Sequence, residues 1–215
     1  MKKTLLIIAV TVIGLTTNLT AQDNCIEKGK FIVDAYYGYP YVAGEWVKST
    51  YNSTTNNTNI ESVRNLNHIG GKLEYMISDN IGIGLEYTYA SVKAKYKEEN
   101  TTMNSFGSSV TTINHYTVQL YKQRILGRIN FHFATTKQLD PYATIGFGYK
   151  VSLLKSNNPN DAESISAFNK NFSNLLPVAI RFGVGLRYFI TPNFGLNVEA
   201  GVGGPSVQGG VTVKF

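Results

Sequence analysis

Two-residue alternation dominates this chain. Across residues 31–41 one row holds Phe31, Val33, Ala35, Tyr37 and Tyr39, and the other holds Ile32, Asp34, Tyr36 and Gly38. Successive side chains of a strand point to opposite faces, so the pattern predicts strands with one apolar and one polar face. It recurs over residues 69–77, with Lys72 and Glu74 on the polar row, and over 81–89, with Glu86 there. Residues 125–133 continue it, with Arg124, Arg128, Asn130 and His132 on the polar row, as do 143–151, 178–190 and 194–202. The final segment sets Val207, Gly209, Val211, Val213 and Phe215 against Gln208, Gly210, Thr212 and Lys214. Eight strands of this kind predict an all-β, antiparallel sheet that closes on itself as a barrel.

The connections alternate in length. Short ones fall at residues 78–80, 134–140 and 191–193, and long polar ones at 42–67, 93–114 and 152–176. A membrane barrel with both ends on the periplasmic side has short turns there and long loops outside, which these expectations fit as mobile outer loops. The fourth outer connection, Gly204-Pro205-Ser206, is short, and residues 53–59 have almost no apolar side chain to bury, so they should accept an insertion. No repeat beyond the hairpin is present.

The N-terminus has a different pattern. Lys2 and Lys3 precede an apolar run over residues 4–15, and Leu19-Thr20-Ala21 then offers a cleavage site. Twelve apolar residues are too few to cross a hydrocarbon layer roughly 30 Å thick as a helix, so residues 1–21 are expected to be a removable secretory signal, leaving 22–215 as one barrel domain. The residues before Cys25, Gln22-Asp23-Asn24, do not form a lipidation motif, and a single cysteine can make neither an internal disulfide nor a thiolate metal site. Cys25 is expected in a frayed tail.

Composition changes the picture little. The formal charge is +6, and losing Lys2 and Lys3 leaves about +4. These cations are scattered, with no basic helix or RNA-binding aromatic motif, which excludes nucleic acid as a partner. A mean hydropathy of −0.11 suits a chain of which every second strand residue meets lipid.

The polar row carries the candidate chemistry. Asp34, Glu74, Glu86 and Glu199 share it with Lys72, Arg124, Arg128, Arg181 and Arg187. Inside a narrow barrel an unpaired charge is costly, so these groups should pair and plug the lumen. A small gated ion pathway through the same charges is the alternative. The glycine pairs Gly82/Gly84, Gly146/Gly148, Gly183/Gly185 and Gly201/Gly203 lie on this row; none opens a helix as a nucleotide loop would, and they make room for large charged neighbours. A hairpin symmetric about Asp79 sets Lys72 opposite Glu86 and predicts an ion pair between them. Arg124 and Arg128 should complete the surroundings of Glu86, with Glu199 near Arg181 or Arg187. On the apolar row, Phe131, Phe133, Tyr188, Phe194 and Phe215 fall near one predicted interface, and Tyr37, Tyr39, Tyr87, Tyr89 and Tyr149 near the other, as two aromatic girdles.

Taken together, the signal, the 140–149 strand Asp-Pro-Tyr-Ala-Thr-Ile-Gly-Phe-Gly-Tyr, the strand Gly183-Val184-Gly185-Leu186-Arg187-Tyr188 and the terminal Val211-Thr212-Val213-Lys214-Phe215 carry a resemblance. The chain resembles the small outer-membrane β-barrel proteins of Gram-negative bacteria, the OmpA/OmpX/OmpW-like porin family. The resemblance implies an eight-stranded transmembrane barrel in the outer membrane and makes Phe215 a signal read by the barrel-assembly machinery. It also implies outer-membrane lipid and lipopolysaccharide as surroundings, and an extracellular ligand or host surface as partner of the loops. Roles in this group include adhesion, envelope integrity, defence and uptake of small hydrophobic compounds. A structural or interaction role is the first expectation, a passive narrow channel the second. Catalysis is the most remote: among His68, His115 and His132, only His115-Tyr116-Thr117 is similar to the His-x-Ser of lipid A deacylases, with Thr in place of Ser. No cofactor and no metal spacing is expected.

Overall fold

The computed structural model describes residues 24–39, 58–103, 109–133, 135–175 and 177–215. Among these residues are eight strands: β1 (Phe31–Tyr39), β2 (Thr58–Ser78), β3 (Ile81–Met103), β4 (Ser109–His132), β5 (Leu139–Ser156), β6 (Val178–Phe189), β7 (Phe194–Val202) and β8 (Val207–Lys214). Each pairs antiparallel with the next, and β8 returns to β1 to close the barrel. At the closure Val33 lies opposite Val213 and Ala35 opposite Val211. Phe31 and Phe215 exchange both backbone hydrogen bonds, at 3.2 and 2.9 Å. Closure leaves no strand edge to be satisfied in hydrocarbon, where water cannot serve.

Alternation of burial follows the alternation of sequence. In β1 the even positions Ile32, Asp34 and Tyr36 are buried in the lumen while Phe31, Tyr37 and Tyr39 point outward, and β6 and β7 behave the same way. The outward row is apolar, as a lipid-facing surface requires: Leu85, Ile125 and Phe147 are among its members.

The described parts of three expected loops are largely strand or helix. About ten tilted residues cross a bilayer, yet β3 and β4 have 23 and 24 residues and pair from Ile81↔Phe131 to Met103↔Ser109. The expected loop at 93–114 is therefore a β-hairpin, with residues 104–108 outside the described set. The second part of 42–67 belongs to β2, where Thr58 already pairs with Glu98. Most of 53–59 lies outside the described residues, as does the signal segment 1–21. Within 152–176, β5 runs to Ser156, and a 3-10 turn (Pro159–Asp161) leads into helix α1 (Ala162–Leu175). Asn158 caps the turn by accepting from the Asn160 amide at 3.0 Å.

Helix α1 has a definite task. Strand β6 begins opposite Tyr149, so the upper part of β5 has no strand on that side. Asn169 of α1 fills the place: its side chain accepts from the Leu154 amide at 2.8 Å and donates to the Leu154 carbonyl at 3.0 Å. A covered edge cannot recruit a foreign strand.

The N-terminal segment also departs from expectation. Cys25 is not in a frayed tail: it is buried with Ile26, Ile32, Met76 and Phe189 in an apolar cluster at the barrel mouth where both chain ends lie. The Cys25 amide donates to the Thr136 carbonyl and the Gly29 amide to that of Met76, both at 2.8 Å, while Lys214 donates to the Cys25 carbonyl. Sequestering Ile26 supplies the apolar burial that holds this segment across the opening.

Candidate functional site

Side chains on the inner faces of β1 to β7 meet in one charged cluster. Its upper half centres on Glu86 and Glu199, which reach in from opposite walls. Glu86 accepts from Arg128 Nη1 at 2.6 Å, Arg124 Nη2 at 3.1 Å and the Tyr36 hydroxyl at 2.5 Å. Glu199 accepts from Lys72 Nζ, Arg128 Nη2 and Arg181 Nε, each at 2.7 Å, and from the Tyr142 hydroxyl at 3.0 Å. Arg128 thus spans the two carboxylates, using the planar fork that suits guanidinium to this work.

The lower half centres on Arg187. Its Nη2 donates to Asp34 at 2.9 Å and Glu74 at 2.7 Å, its Nη1 to Asp140 at 3.1 Å, and its guanidinium stacks 4.5 Å from the Tyr142 ring centre. His132 lies between Asp140 and Glu74, with ring nitrogens 2.6 and 2.8 Å from their oxygens. Lys72, 4.0 Å from Asp34, joins the halves.

Large side chains fit because glycine faces them. A Cβ on Gly82 would overlap the Glu74 carboxylate, and one on Gly185 the Tyr142 ring.

The outer end of the lumen is crossed by the connection at residues 203–206. Gly203 adopts a φ of +85°, open to glycine at little cost. Arg124 donates to the Gly203 carbonyl and Arg181 to that of Pro205, which draws the connection inward. On the β7–β8 wall, Asn197, Gln208 and Thr212 are buried with polar atoms that have no protein partner among the described residues.

All nine charged residues singled out from sequence face this space and are buried. Lys72 lies opposite Glu86, in the register that symmetry about Asp79 predicts. The ion pair expected between them is not formed. Glu86 is occupied by two arginines from β4, and Lys72 extends across the bore to Glu199 on β7. In so narrow a space long side chains meet their opposite wall as readily as their neighbour. Sequence reading sets Tyr36 and His132 on the polar row without assigning them to the charge network, and leaves Asp140 and Tyr142 out of it. Asp140 ends the expected 134–140 connection and opens the 140–149 strand, and the even-numbered inward row runs through Tyr142 to Asp140.

His115 lies elsewhere, on the outward face of the β3–β4 hairpin. It has the acidic neighbour not evident in the sequence, Glu61, at 3.0 Å. The pair is exposed, and no hydrogen bond among the described residues joins His115 to the Thr117 hydroxyl.

Apolar outside, charged inside and closed through β1 and β8, this is a transmembrane β-barrel of the outer-membrane class. The chain belongs to the outer membrane protein beta-barrel domain family, whose model it matches over residues 32–202. Some solved structures are similar to it at a low level. The N-terminal β-barrel domain of Pseudomonas aeruginosa OprF is 12% identical, with 88% of this chain and 99% of that one covered at a TM-score of 0.40. OprG from Pseudomonas aeruginosa is 11% identical (88% and 97% covered, TM-score 0.43). Ail, the attachment invasion locus protein of Yersinia pestis, is also 11% identical (87% and 99% covered, TM-score 0.39). No curated protein matches. The family places the chain in the outer membrane of a Gram-negative bacterium.

Proposed function

We infer that this barrel is a closed anchor, its lumen plugged by its own side chains, and that its role is structural or interactive, exerted through the part that projects beyond the membrane. The observation that carries this reading is the sharing of Glu86 and Glu199 by cations from different strands, with Arg128 spanning the bore between them. An ion entering would have to separate charge pairs held at 2.6 to 2.7 Å in a space with little water, where a lone charge is expensive. The Cys25–Ile26 segment below and residues 203–206 above support the same reading. The outward projection, formed by β2 to β5 and α1, presents the surface for a partner such as an extracellular ligand or host surface. A signal peptide cleaved near residue 21 and insertion by the barrel-assembly machinery through the strand ending at Phe215 complete the proposal. Planar-bilayer recording of the refolded chain tests it: the closed barrel gives no discrete conductance steps in concentrated KCl, and regular steps would establish the channel instead.

A further inference from the structure

The outward surface changes character just beyond the upper tyrosines. Following the register across four strands, Leu66, Ser91, Tyr121 and Leu153 form one row, and the next row outward is Arg64, Lys93, Gln119 and Lys155. Lys95 follows two residues beyond Lys93. Arg64, Lys93, Lys95 and Lys155 are all exposed. With a rise of about 3.3 Å per residue and a tilt of about 40°, Lys93 stands roughly 10 Å beyond Tyr89 along the membrane normal. Rings of Tyr89 and Tyr121, 6.4 Å apart, occupy the level below, where amphipathic aromatics mark the headgroups.

Arg64 and Lys93 face each other directly across the β2–β3 pair. Like charges in that relation repel, and a nearby acid would relieve the repulsion. None is placed there among the described residues. Among the nearby carboxylates Glu61 is with His115, Glu99 with Lys97, Glu98 with Asn158, and Asp161 with Tyr96 and Ser156. None of the four cations has a carboxylate partner among the described residues; Lys155 rests over the Tyr121 ring at 5.5 Å.

We propose that this oblique basic row on β2 to β5 is a docking surface for phosphate-bearing lipid headgroups of the outer leaflet, with Arg64 and Lys93 as the central contacts and Lys95 and Lys155 flanking them. The unbalanced charge lies next to the apolar wall that acyl chains cover, so one amphiphile satisfies both: chains against the outward aliphatic and aromatic rows, phosphate against the cations. Lysine stems extend along apolar surface and keep their ammonium groups in the headgroup layer. The proposal rests on the orientation with both chain ends in the periplasm and is independent of whether the lumen conducts.

The test uses the full chain refolded in phosphatidylcholine vesicles containing either diphosphoryl lipid A or lipid A stripped of both phosphates, with retained lipid counted by native mass spectrometry. The native chain should retain the phosphorylated form preferentially. The triple variant Arg64→Gln, Lys93→Gln, Lys155→Gln should lose that preference by about fivefold for each charge removed. A control with Lys28→Gln, Lys30→Gln and Lys137→Gln, which lowers net charge equally at the periplasmic end, should keep it. Should the triple variant fail to show the heat-modifiable gel mobility of a folded barrel, Arg64→Gln and Lys93→Gln alone provide the same comparison. Equal retention by the native chain and these variants, equal loss in the periplasmic control, or displacement of the lipid by inorganic phosphate would each overturn the proposal.

Discussion

Glu199 is the point where the lumen cluster is most exposed to attack. Glu199→Gln keeps the shape of the side chain and removes the charge toward which Lys72, Arg128 and Arg181 all point at 2.7 Å. Arg128 retains Glu86, but Arg181 has no other carboxylate among the described residues, and Lys72 is left with Asp34 at 4.0 Å. Removing one partner from a buried ion pair costs about 3–5 kcal/mol, and this value is expected here. Lys72→Met should cost less, roughly 1–2 kcal/mol, because Glu199 keeps two arginines and Asp34 keeps Arg187 at 2.9 Å. The double variant should cost less than the sum by about 1 kcal/mol or more, since an uncompensated ammonium no longer remains. Urea titration in lipid vesicles, approached from both folded and unfolded protein and followed by circular dichroism, measures all three. Concentrated KCl should leave the differences standing, because buried pairs are screened little. Equal losses from the two single variants that add without coupling would refute the reasoning and return these charges to the role of lining water.

Three further outcomes are expected. Deleting residues 211–215 removes the pairing of β8 with the start of β1, including the Phe31–Phe215 bonds, and should abolish heat-modifiable mobility in the outer-membrane fraction. Burial pushes the Cys25 thiol up to about 12 from a usual value of 9.0, so folded protein should resist iodoacetamide at pH 9 while urea-unfolded protein reacts; rapid labelling of the folded chain would show that the N-terminal segment opens. Asn169→Ala frees the upper edge of β5 and should raise proteolysis within α1 and promote self-association, read by limited trypsin digestion and light scattering, without loss of the membrane barrel.

How far the sequence reveals this molecule depends on which solvent a strand meets. In the membrane the polar row is confined to the lumen, so Phe31 to Tyr39 or Phe194 to Val202 read as strands almost to the residue. The hairpin beyond it carries an equally regular signal, Ala90, Val92, Ala94 and Tyr96 alternating with Ser91, Lys93, Lys95 and Lys97, and yet reads as a polar loop when apolar residues are sought on the lipid-facing row. The charged members of the lumen were legible because Asp, Glu, Lys and Arg on the row opposite lipid have nowhere else to go. Their partners were less so. Register specifies neighbours on adjacent strands, whereas Lys72–Glu199 and Arg187–Asp34 join residues across the bore, a relation that depends on side-chain length and on which competitor already holds the carboxylate. Cys25 was misplaced because no periodicity marks a segment that crosses the barrel mouth.

The inversion along β3 and β4 ties these observations together. Below Tyr89 the inward positions are Glu86, Thr88, Arg124 and Arg128 and the outward ones Leu85, Tyr87, Ile125 and Ile129. Beyond it the inward positions become Ala90, Val92, Ala94, Tyr96 and Val118, a packed apolar cluster with Val63, Tyr116 and Leu154 against it, and the outward ones become lysine, glutamine and threonine. The strands continue without changing parity, so the exchange of faces is written wholly in side chains. A sheet surrounded by hydrocarbon must hide its charges inside, whereas one surrounded by water must hide its apolar groups there. The crossover between Thr88 and Ala90 therefore fixes the upper membrane boundary on β3 independently of the aromatic girdle. It also gives the projecting sheet a core of its own, which is what a surface needs if it is to hold a fixed shape toward a partner above the lipid.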